Sequence, residues 1–465
     1  MSKPETGAPA PELVKGLGVW DATLVTVGAI LGTGIFITTG DIARVVPHAG
    51  LILLLWLAGG LVTMAGALTY AELGGLFPRA GGQYHFLKEA YSPFWGFLYG
   101  WAAFLVIMTG GIATLAVGFG EYLGAFLPFF STQHVVLALP LGWKTLEING
   151  GQVAGALAIT LLTAINYIGL KEGAGVQNAI TLVKIGSIVG LGLLGLFGPA
   201  PVSPQLVSGI PTGGVLAAMG VGMIAVLWSF DGWYGATNLA GEMRRPGRDL
   251  PMGLILGTAI VTLLYTLLNV VYVRTLTLEQ MVATSRIGES AALVLFGPMG
   301  ARLINVAVLI STFGCISSTI LYAARIYLPM AQDGLFLPAL AKIHPRYKTP
   351  AACILAQGLW SVLLTFSGSY EQLYTYVVFA VVLFHALTGA AVFVLRRKRP
   401  DAERPYRTWG YPVVPLVFVV SSAALVVNTL LEKPTESLIG LAILALGVPA
   451  YLYWRSTATY GRETS

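Results

Sequence analysis

The chain has 465 residues, of which 56% are hydrophobic and only 10% are charged, and its mean hydropathy is +0.77. Soluble domains carry about 25% charged residues, so this composition excludes a disordered protein, a nucleic-acid-binding module and an ordinary cytosolic enzyme. The formal charge of +6 must therefore be interpreted from where the basic residues lie, because in a membrane protein their positions set orientation.

Apolar runs of about 20 residues cross the hydrocarbon core of a membrane as helices, and the sequence contains twelve such runs. The predicted spans cover 20–44, 51–76, 94–128, 152–170, 177–198, 215–241, 251–274, 299–330, 350–369, 372–395, 412–431 and 437–454. A short interfacial helix is expected at 81–91, where charged and aromatic residues mix. The sequence therefore predicts an all-α integral membrane protein with 12 transmembrane helices.

The basic residues are distributed unevenly between the loops. If both ends of the chain are cytoplasmic, 20 of the 27 Lys and Arg residues lie on the cytoplasmic side and 6 lie outside. Cytoplasmic loops carry the Lys/Arg excess in membrane proteins. This distribution predicts cytoplasmic tails over 1–19 and 455–465.

Two spans contain glycine near the middle of the membrane. The first reads VGAILGTGIF at 27–36, and the sixth reads LWSFDGWYGATNLAGE at 227–242. Paired interruptions in two halves are typical of inverted-repeat transporters, although close glycine packing of unbroken helices is the alternative. Because an offset of five spans is odd, the two repeats would be inverted. They would cover 20–198 and 215–395, with two peripheral helices over 412–454.

An interrupted helix exposes backbone groups that need polar partners in the membrane. Amides at the start of the second half of span one, at Thr33, Gly34 and Ile35, would suit a carboxylate. Carbonyls at the ends of the first halves, at Ile30 and at 228–230, would suit an ammonium group. The two breaks together predict a zwitterion, such as an amino acid, as the substrate.

Three ionisable residues lie well inside the predicted spans, where charges are rare and usually functional. Lys184 could snorkel to the surface, or it could replace a sodium ion between spans one, five and eight, where Ser317 and Ser318 offer oxygens. In that buried position it could also carry a proton. Asp231 could cap the second half of span six or attract a cationic side chain. We interpret His385 as a core histidine.

Several motifs together resemble the amino acid-polyamine-organocation permeases, most closely the L-type amino-acid transporter branch and its bacterial relatives, the serine/threonine exchangers. The motifs are GAILGTGIF, PRAGGQYHFLKEAY, NAITLVKIGSI, LWSFDGW, LAGEMRRPGRDLP and ARIYLPMAQDGLFLPALAKIHPRYKTP. The resemblance covers nearly the whole chain. It implies a five-plus-five inverted-repeat fold of the LeuT type and transport by alternating access, commonly as exchange of one amino acid for another.

The resemblance also implies which residues bind the substrate. They fall on Gly32, Thr33, Gly34, Trp228, Ser229 and Phe230. In the family, the GTG-type motif binds the carboxylate, the aromatic residue forms a lid, and the two residues after it bind the amino group. An acid at the position of Asp231 is similar to members that accept cationic as well as neutral substrates. The family's span-five lysine, thought to stand in for sodium, falls on Lys184.

The sequence departs from the family pattern at several positions. Animal light chains use a cysteine between spans three and four to join a glycoprotein heavy chain, but residues 129–151 contain none, so no disulfide-linked heavy chain is expected. Gln83 stands where an acid is common, which leaves its role open. Ser317 and Tyr234 both stand where asparagine is common, which leaves the contacts from span eight and the side-chain selectivity open.

The sequence therefore predicts a sodium-independent exchanger of neutral L-amino acids in the plasma membrane, in contact with membrane lipids and without metal, cofactor or nucleic acid. A proton-coupled symporter and an exchanger of cationic amino acids or polyamines are alternatives. A channel or a nutrient sensor on the same fold also stays open. The sequence has no H-E-x-x-H or C-x-x-C motif, and its five histidines are dispersed, which argues against an enzyme.

Overall fold

The computed structural model describes residues 16–140, 145–169, 173–198 and 214–463. Most of the predicted N-terminal tail (1–19) and the last two residues of the C-terminal tail lie outside the described residues. The same holds for Lys144 and Lys171, two basic residues used to predict the orientation.

Helices make up nearly all of the described chain. They are α1 (Val19–Ile30), α2 (Gly34–Val45), α3 (Ala49–Leu76), α4 (Gln83–Ala90), α5 (Pro93–Leu123), α6 (Gly150–Ile168), α7 (Gly173–Phe197), α8 (Val215–Phe230), α9 (Pro246–Thr275), α10 (Leu278–Ala283), α11 (Ile287–Gln332), α12 (Ala351–Thr365), α13 (Tyr370–Lys398), α14 (Val413–Glu432) and α15 (Pro434–Glu463). A 3₁₀ helix at Gly235–Glu242 follows α8.

The apolar helices agree with the predicted spans. Within the described residues, ten are long and apolar enough to cross a membrane, and α1 and α2, bent by 41° at a short break, together make an eleventh. The ninth predicted span, at 350–369, corresponds to α12, which has only 15 residues. The helical membrane architecture is thus confirmed, whereas the count of twelve stays a prediction.

The loop between the third and fourth spans contains an element that the sequence analysis did not predict. Strands β1 (Val135–Pro140) and β2 (Thr145–Asn149) pair in antiparallel fashion. The scan for 20-residue apolar runs could not detect strands this short, since each has only five or six residues. The all-α prediction therefore needs this correction outside the spans.

Helix α11 begins at Ile287, ahead of the eighth predicted span, which starts at 299. It is broken at Gly297, whose φ of +69° lies in the left-handed region that glycine adopts without steric cost. Pro298 follows and has no N–H to continue the helical hydrogen bonds. Glycine and proline thus separate a short helix over 287–296 from the span itself.

The two halves of the first span lie at the centre of the bundle. Helix α1 packs against α7, α9 and α11, and α2 packs against α8. The short helix α4 forms near the position predicted for it and packs against α5 and α13. The polar groups of the break between α1 and α2 are therefore surrounded by other helices.

Candidate functional site

The first break occurs within the predicted GTG segment. Helix α1 ends at Ile30 and α2 begins at Gly34. Between them, Leu31 has φ −72° and ψ 79°, the conformation of an inverse γ-turn, and the Gly32 amide donates to the Ile30 carbonyl at 2.8 Å. The turn interrupts the helix, and the first amides of α2 are left without acceptors in their own helix.

Lys184 on α7 provides the positive charge at this break. Its Nζ donates to the carbonyls of Gly28 at 2.9 Å and Leu31 at 3.0 Å, and the residue is only 1% exposed. The Ser311 hydroxyl on α11 donates to the same Leu31 carbonyl at 2.8 Å. The ammonium group therefore lies at the carbonyl end of the broken helix and not at the membrane surface.

The two serines predicted beside Lys184 make other contacts. Ser317 accepts a hydrogen bond from the Asn166 amide at 3.1 Å, and Ser318 donates to the Gly314 carbonyl of its own helix at 2.9 Å. The side chain of α11 that reaches the carbonyl of Ala29 is Cys315, whose Sγ lies 3.0 Å away.

The second break follows α8. The helix ends at Phe230, and Gly232, with φ +95°, turns the chain before the 3₁₀ helix begins at Gly235. A Cβ at Gly232 would lie 2.9 Å from the carbonyl oxygen of Ala29, so the two breaks are in contact. Both predicted interruptions are present. Asp231 caps the end of α8 and is not the N-cap of the segment that follows.

Tyr265 joins the two breaks, and the sequence analysis did not identify it. Its hydroxyl lies 3.0 Å from the carbonyl of Ile30 and 3.0 Å from that of Ser229. The side chain is fully buried on α9. Because a phenol has one proton to donate, Tyr265 shares it between the ends of two broken helices.

A cavity of about 30 Å³ lies between the breaks. Its lining includes six of the eight residues predicted to bind substrate, namely Ile30, Gly32, Gly34, Trp228, Ser229 and Asp231. A π-helical turn in α5, at Ala103–Ile107, leads into the opposite wall, and such turns are frequent at functional sites. Since one water needs about 10–15 Å³, the cavity must widen to hold an amino acid.

The other two predicted residues do not line the cavity. The hydroxyl of Thr33 lies 3.0 Å from that of Tyr370. The ring of Phe230 packs against Trp56 and Tyr265, with centroids 6.1 and 5.0 Å away. The structure thus places Thr33 in the cover of the cavity and Phe230 in the core.

An aromatic lid closes one side of the cavity. The indole N–H of Trp228 donates to the Tyr370 hydroxyl at 2.9 Å, and its ring stacks on Tyr374 at 6.1 Å with an interplanar angle of 18°. Beyond the lid lies a vestibule of about 520 Å³ whose lining includes Asp41, Glu121 and Tyr370. Tyr370, which the sequence did not single out, separates the cavity from this vestibule.

The opposite face is closed by ion pairs. Arg325 on α11 donates to Glu242 at 2.7 and 3.4 Å. Nearby, Tyr84 and Lys88 on α4 both donate to Asp333. Burial and the Asp333 carboxylate raise the pKa of Tyr84 well above its usual range, so its phenol stays protonated as a donor. The structure is therefore closed at this face and open at the vestibule.

The sequence is similar to known proteins along almost its full length. A family model described as amino acid permease matches residues 17–448. The chain is 29% identical to the serine/threonine exchanger SteT of Bacillus subtilis, over 94% of this chain and 96% of that protein. It is 31% identical to the human b(0,+)-type amino acid transporter 1, over 91% of this chain and 84% of that protein. With the human large neutral amino acids transporter small subunit 2, identity is 28% over 97% and 83%.

Proposed function

The chain belongs to the amino acid permease family, and on that premise we propose that it is a sodium-independent exchanger of neutral L-amino acids. Relatives named as a serine/threonine exchanger and as a large neutral amino acids transporter support this class of substrate. The observation that carries the proposal is the position of Lys184, whose ammonium donates to two carbonyls at the break of the first span.

The substrate's charged ends match the two breaks. The first amides of α2, at Thr33, Gly34 and Ile35, lie at the positive end of a helix dipole and suit a carboxylate. The carbonyls at the end of α8, at 228–230, suit the ammonium group. A bound zwitterion would connect both broken spans, and this supports closure around it and release on the other face.

The contacts of Lys184 support the proposal that transport does not require sodium. Carbonyl oxygens at the break of a transporter helix are ligands for a cation, and here the lysine ammonium supplies that positive charge from within the chain. An ion from solution is then not needed to hold α1, α7 and α11 together. In this proposal Ser317 and Ser318 keep the role that the sequence predicted for them, as oxygens offered by α11 beside the lysine.

The same proposal includes the finer architecture. Twelve spans, with α12 as the ninth, would form inverted repeats over 20–198 and 215–395, with peripheral helices over 412–454. Breaks in spans one and six support this arrangement, because they lie at corresponding positions of the two halves. We place the tails, 1–19 and 455–465, in the cytoplasm and the protein in the plasma membrane. No disulfide-linked heavy chain is expected, because residues 129–151 contain no cysteine.

A second candidate function is the exchange of cationic amino acids or polyamines. It is favoured by one observation: Asp231 lines the cavity between the breaks. A carboxylate there would attract the cationic end of a long side chain. This candidate differs from the first only in side-chain preference, so one assay can compare them.

The test is uptake of labelled amino acids by proteoliposomes that contain the full chain. Vesicles loaded with unlabelled amino acid should take up label much faster than empty vesicles. Equal uptake in both would overturn exchange. Replacing sodium with choline should not change the rate, and an imposed proton gradient should not drive net uptake. A neutral and a cationic panel then distinguishes the two substrate classes.

A further inference from the structure

A second cavity lies behind Asp231, on the side away from the first break. It has a volume of about 20 Å³, and its lining includes Thr63, Asp231, Trp233, His385, Phe418 and Ser422. We name it the rear cavity. Asp231 lines both this cavity and the one between the breaks, so its carboxylate connects the two.

Two residues that line the rear cavity each carry a buried polar atom without a hydrogen-bond partner. Among the described residues, none meets the geometry of a hydrogen bond to Oδ1 of Asp231 or to Nε2 of His385, although the Tyr234 side chain lies close to the Asp231 carboxylate. His385 is only 7% exposed. Buried polar side-chain atoms nearly always have a partner, either protein or ordered water, so both atoms require one.

The rear cavity has the size and the chemistry to hold one water molecule. A water needs about 10–15 Å³ and two to four polar partners. Besides Asp231 and His385, the cavity is lined by Thr63 and Ser422, each of which carries a hydroxyl. Thr63 donates its own proton to the Gly59 carbonyl at 2.7 Å, so its lone pairs are available as acceptors. The remaining lining is mainly apolar, which directs a water toward these few groups.

His385 is held rigidly at this position. Its ring lies 5.1 Å from that of Tyr234, 5.3 Å from Trp233, and 5.8 Å from both Tyr70 and Phe418. These contacts come from α3, α14 and the turn after α8. The imidazole therefore has little freedom to move within the rear cavity.

We propose that the rear cavity is a water-binding site that joins His385 to Asp231, and that His385 is thereby a positioning residue for the substrate's side chain. The water holds one carboxylate oxygen from behind and so directs the other oxygen toward the substrate cavity. This inference rests on the proposed function, because it assigns the orientation of Asp231 to recognition of cationic side chains.

The test compares His385→Leu with His385→Gln in the full chain. Leucine removes the ring nitrogens, whereas glutamine keeps groups that can bond to the water. The ratio of apparent KM values for arginine and leucine exchange should rise about tenfold in His385→Leu, because one hydrogen bond to a charged group is lost. His385→Gln should recover most of that change. Leu383→Ala, on the same helix but outside the cavity, should leave the ratio unchanged.

A direct measurement completes the test. A cryo-EM map that shows ordered water should contain density between the side chains of residues 231 and 385 in the wild type and none in His385→Leu. A dry rear cavity in the wild type would overturn the proposal, as would a His385→Leu variant with an unchanged KM ratio. If the wild type does not bind arginine at all, acceptance of cationic substrates fails, while the map still decides whether the water site exists.

Discussion

Replacing Lys184 with methionine tests the central feature of the site. Methionine has a similar length and no proton to donate, so the change removes charge and hydrogen bonds with little loss of volume. In the wild type the ammonium donates to the carbonyls of Gly28 and Leu31. Ser311 continues to donate to Leu31 in the variant, so the Gly28 carbonyl is the group left without its partner.

The lost hydrogen bonds set the expected change in stability and in exchange rate. A hydrogen bond from a charged donor contributes about 1.5–3 kcal/mol, and an unsatisfied buried acceptor costs about 1–3 kcal/mol. Removing a buried ammonium also removes its desolvation penalty, which offsets part of that loss. Lys184→Met should therefore fold, with stability lowered by no more than about 3 kcal/mol. Exchange should fall at least tenfold. A change of about 1.4 kcal/mol in the free-energy difference between two conformations of the transporter changes their equilibrium by a factor of ten.

The assay measures exchange rates in preloaded proteoliposomes and thermal stability in detergent for the same preparations. Ser187→Ala is the matched control, because Ser187 lies on the same helix, is only partly buried and donates only to the Val183 carbonyl of that helix among the bonds described. The control should behave as the wild type in both measurements. Wild-type exchange by Lys184→Met would refute the role assigned to the ammonium.

Three further substitutions probe the breaks and the cavity. Tyr265→Phe should slow exchange at least fivefold with folding intact, because the bridge between the broken helices is lost; unchanged rates would make the phenol a packing group. Gly34→Ala should abolish exchange, since its Cβ would lie 2.7 Å from the Cα of Ser229, whereas Gly186→Ala, where a Cβ meets nothing within 4 Å, should be silent. Asp231→Asn should weaken competition by arginine and lysine against labelled leucine, and equal competition would separate this acid from selectivity.

Much of the fold could be predicted from the sequence because its signals are local. Apolar runs gave the positions of the spans, and the glycines of 27–36 indicated a break that the structure places at Leu31–Thr33. The same reasoning located the interruption after Phe230. Hydropathy and glycine content are properties of a single segment, so they can be interpreted without knowing which helices pack against it.

The partners of the breaks could not be predicted in this way. Tyr265, Ser311 and Tyr370 reach the site from α9, α11 and α13, and each lies in or beside a long apolar run that shows no helical face. Tyrosine is ordinary in such a run because its ring is apolar and its hydroxyl finds a partner when buried. Many other residues in the spans also carry a hydroxyl near mid-span. Only the packing of the helices shows that these three reach the breaks.

The contacts of Tyr265 change what the first break can bind. A carbonyl oxygen accepts two hydrogen bonds, and that of Ile30 already receives one from the Gly32 amide and one from Tyr265. The Ser229 carbonyl receives Tyr265 as well. A substrate ammonium can therefore reach Ile30, as the sequence predicted, only if it displaces Tyr265. That displacement would free both carbonyls at once and would release the bridge between the two broken helices, so ammonium binding and the separation of the breaks become one event.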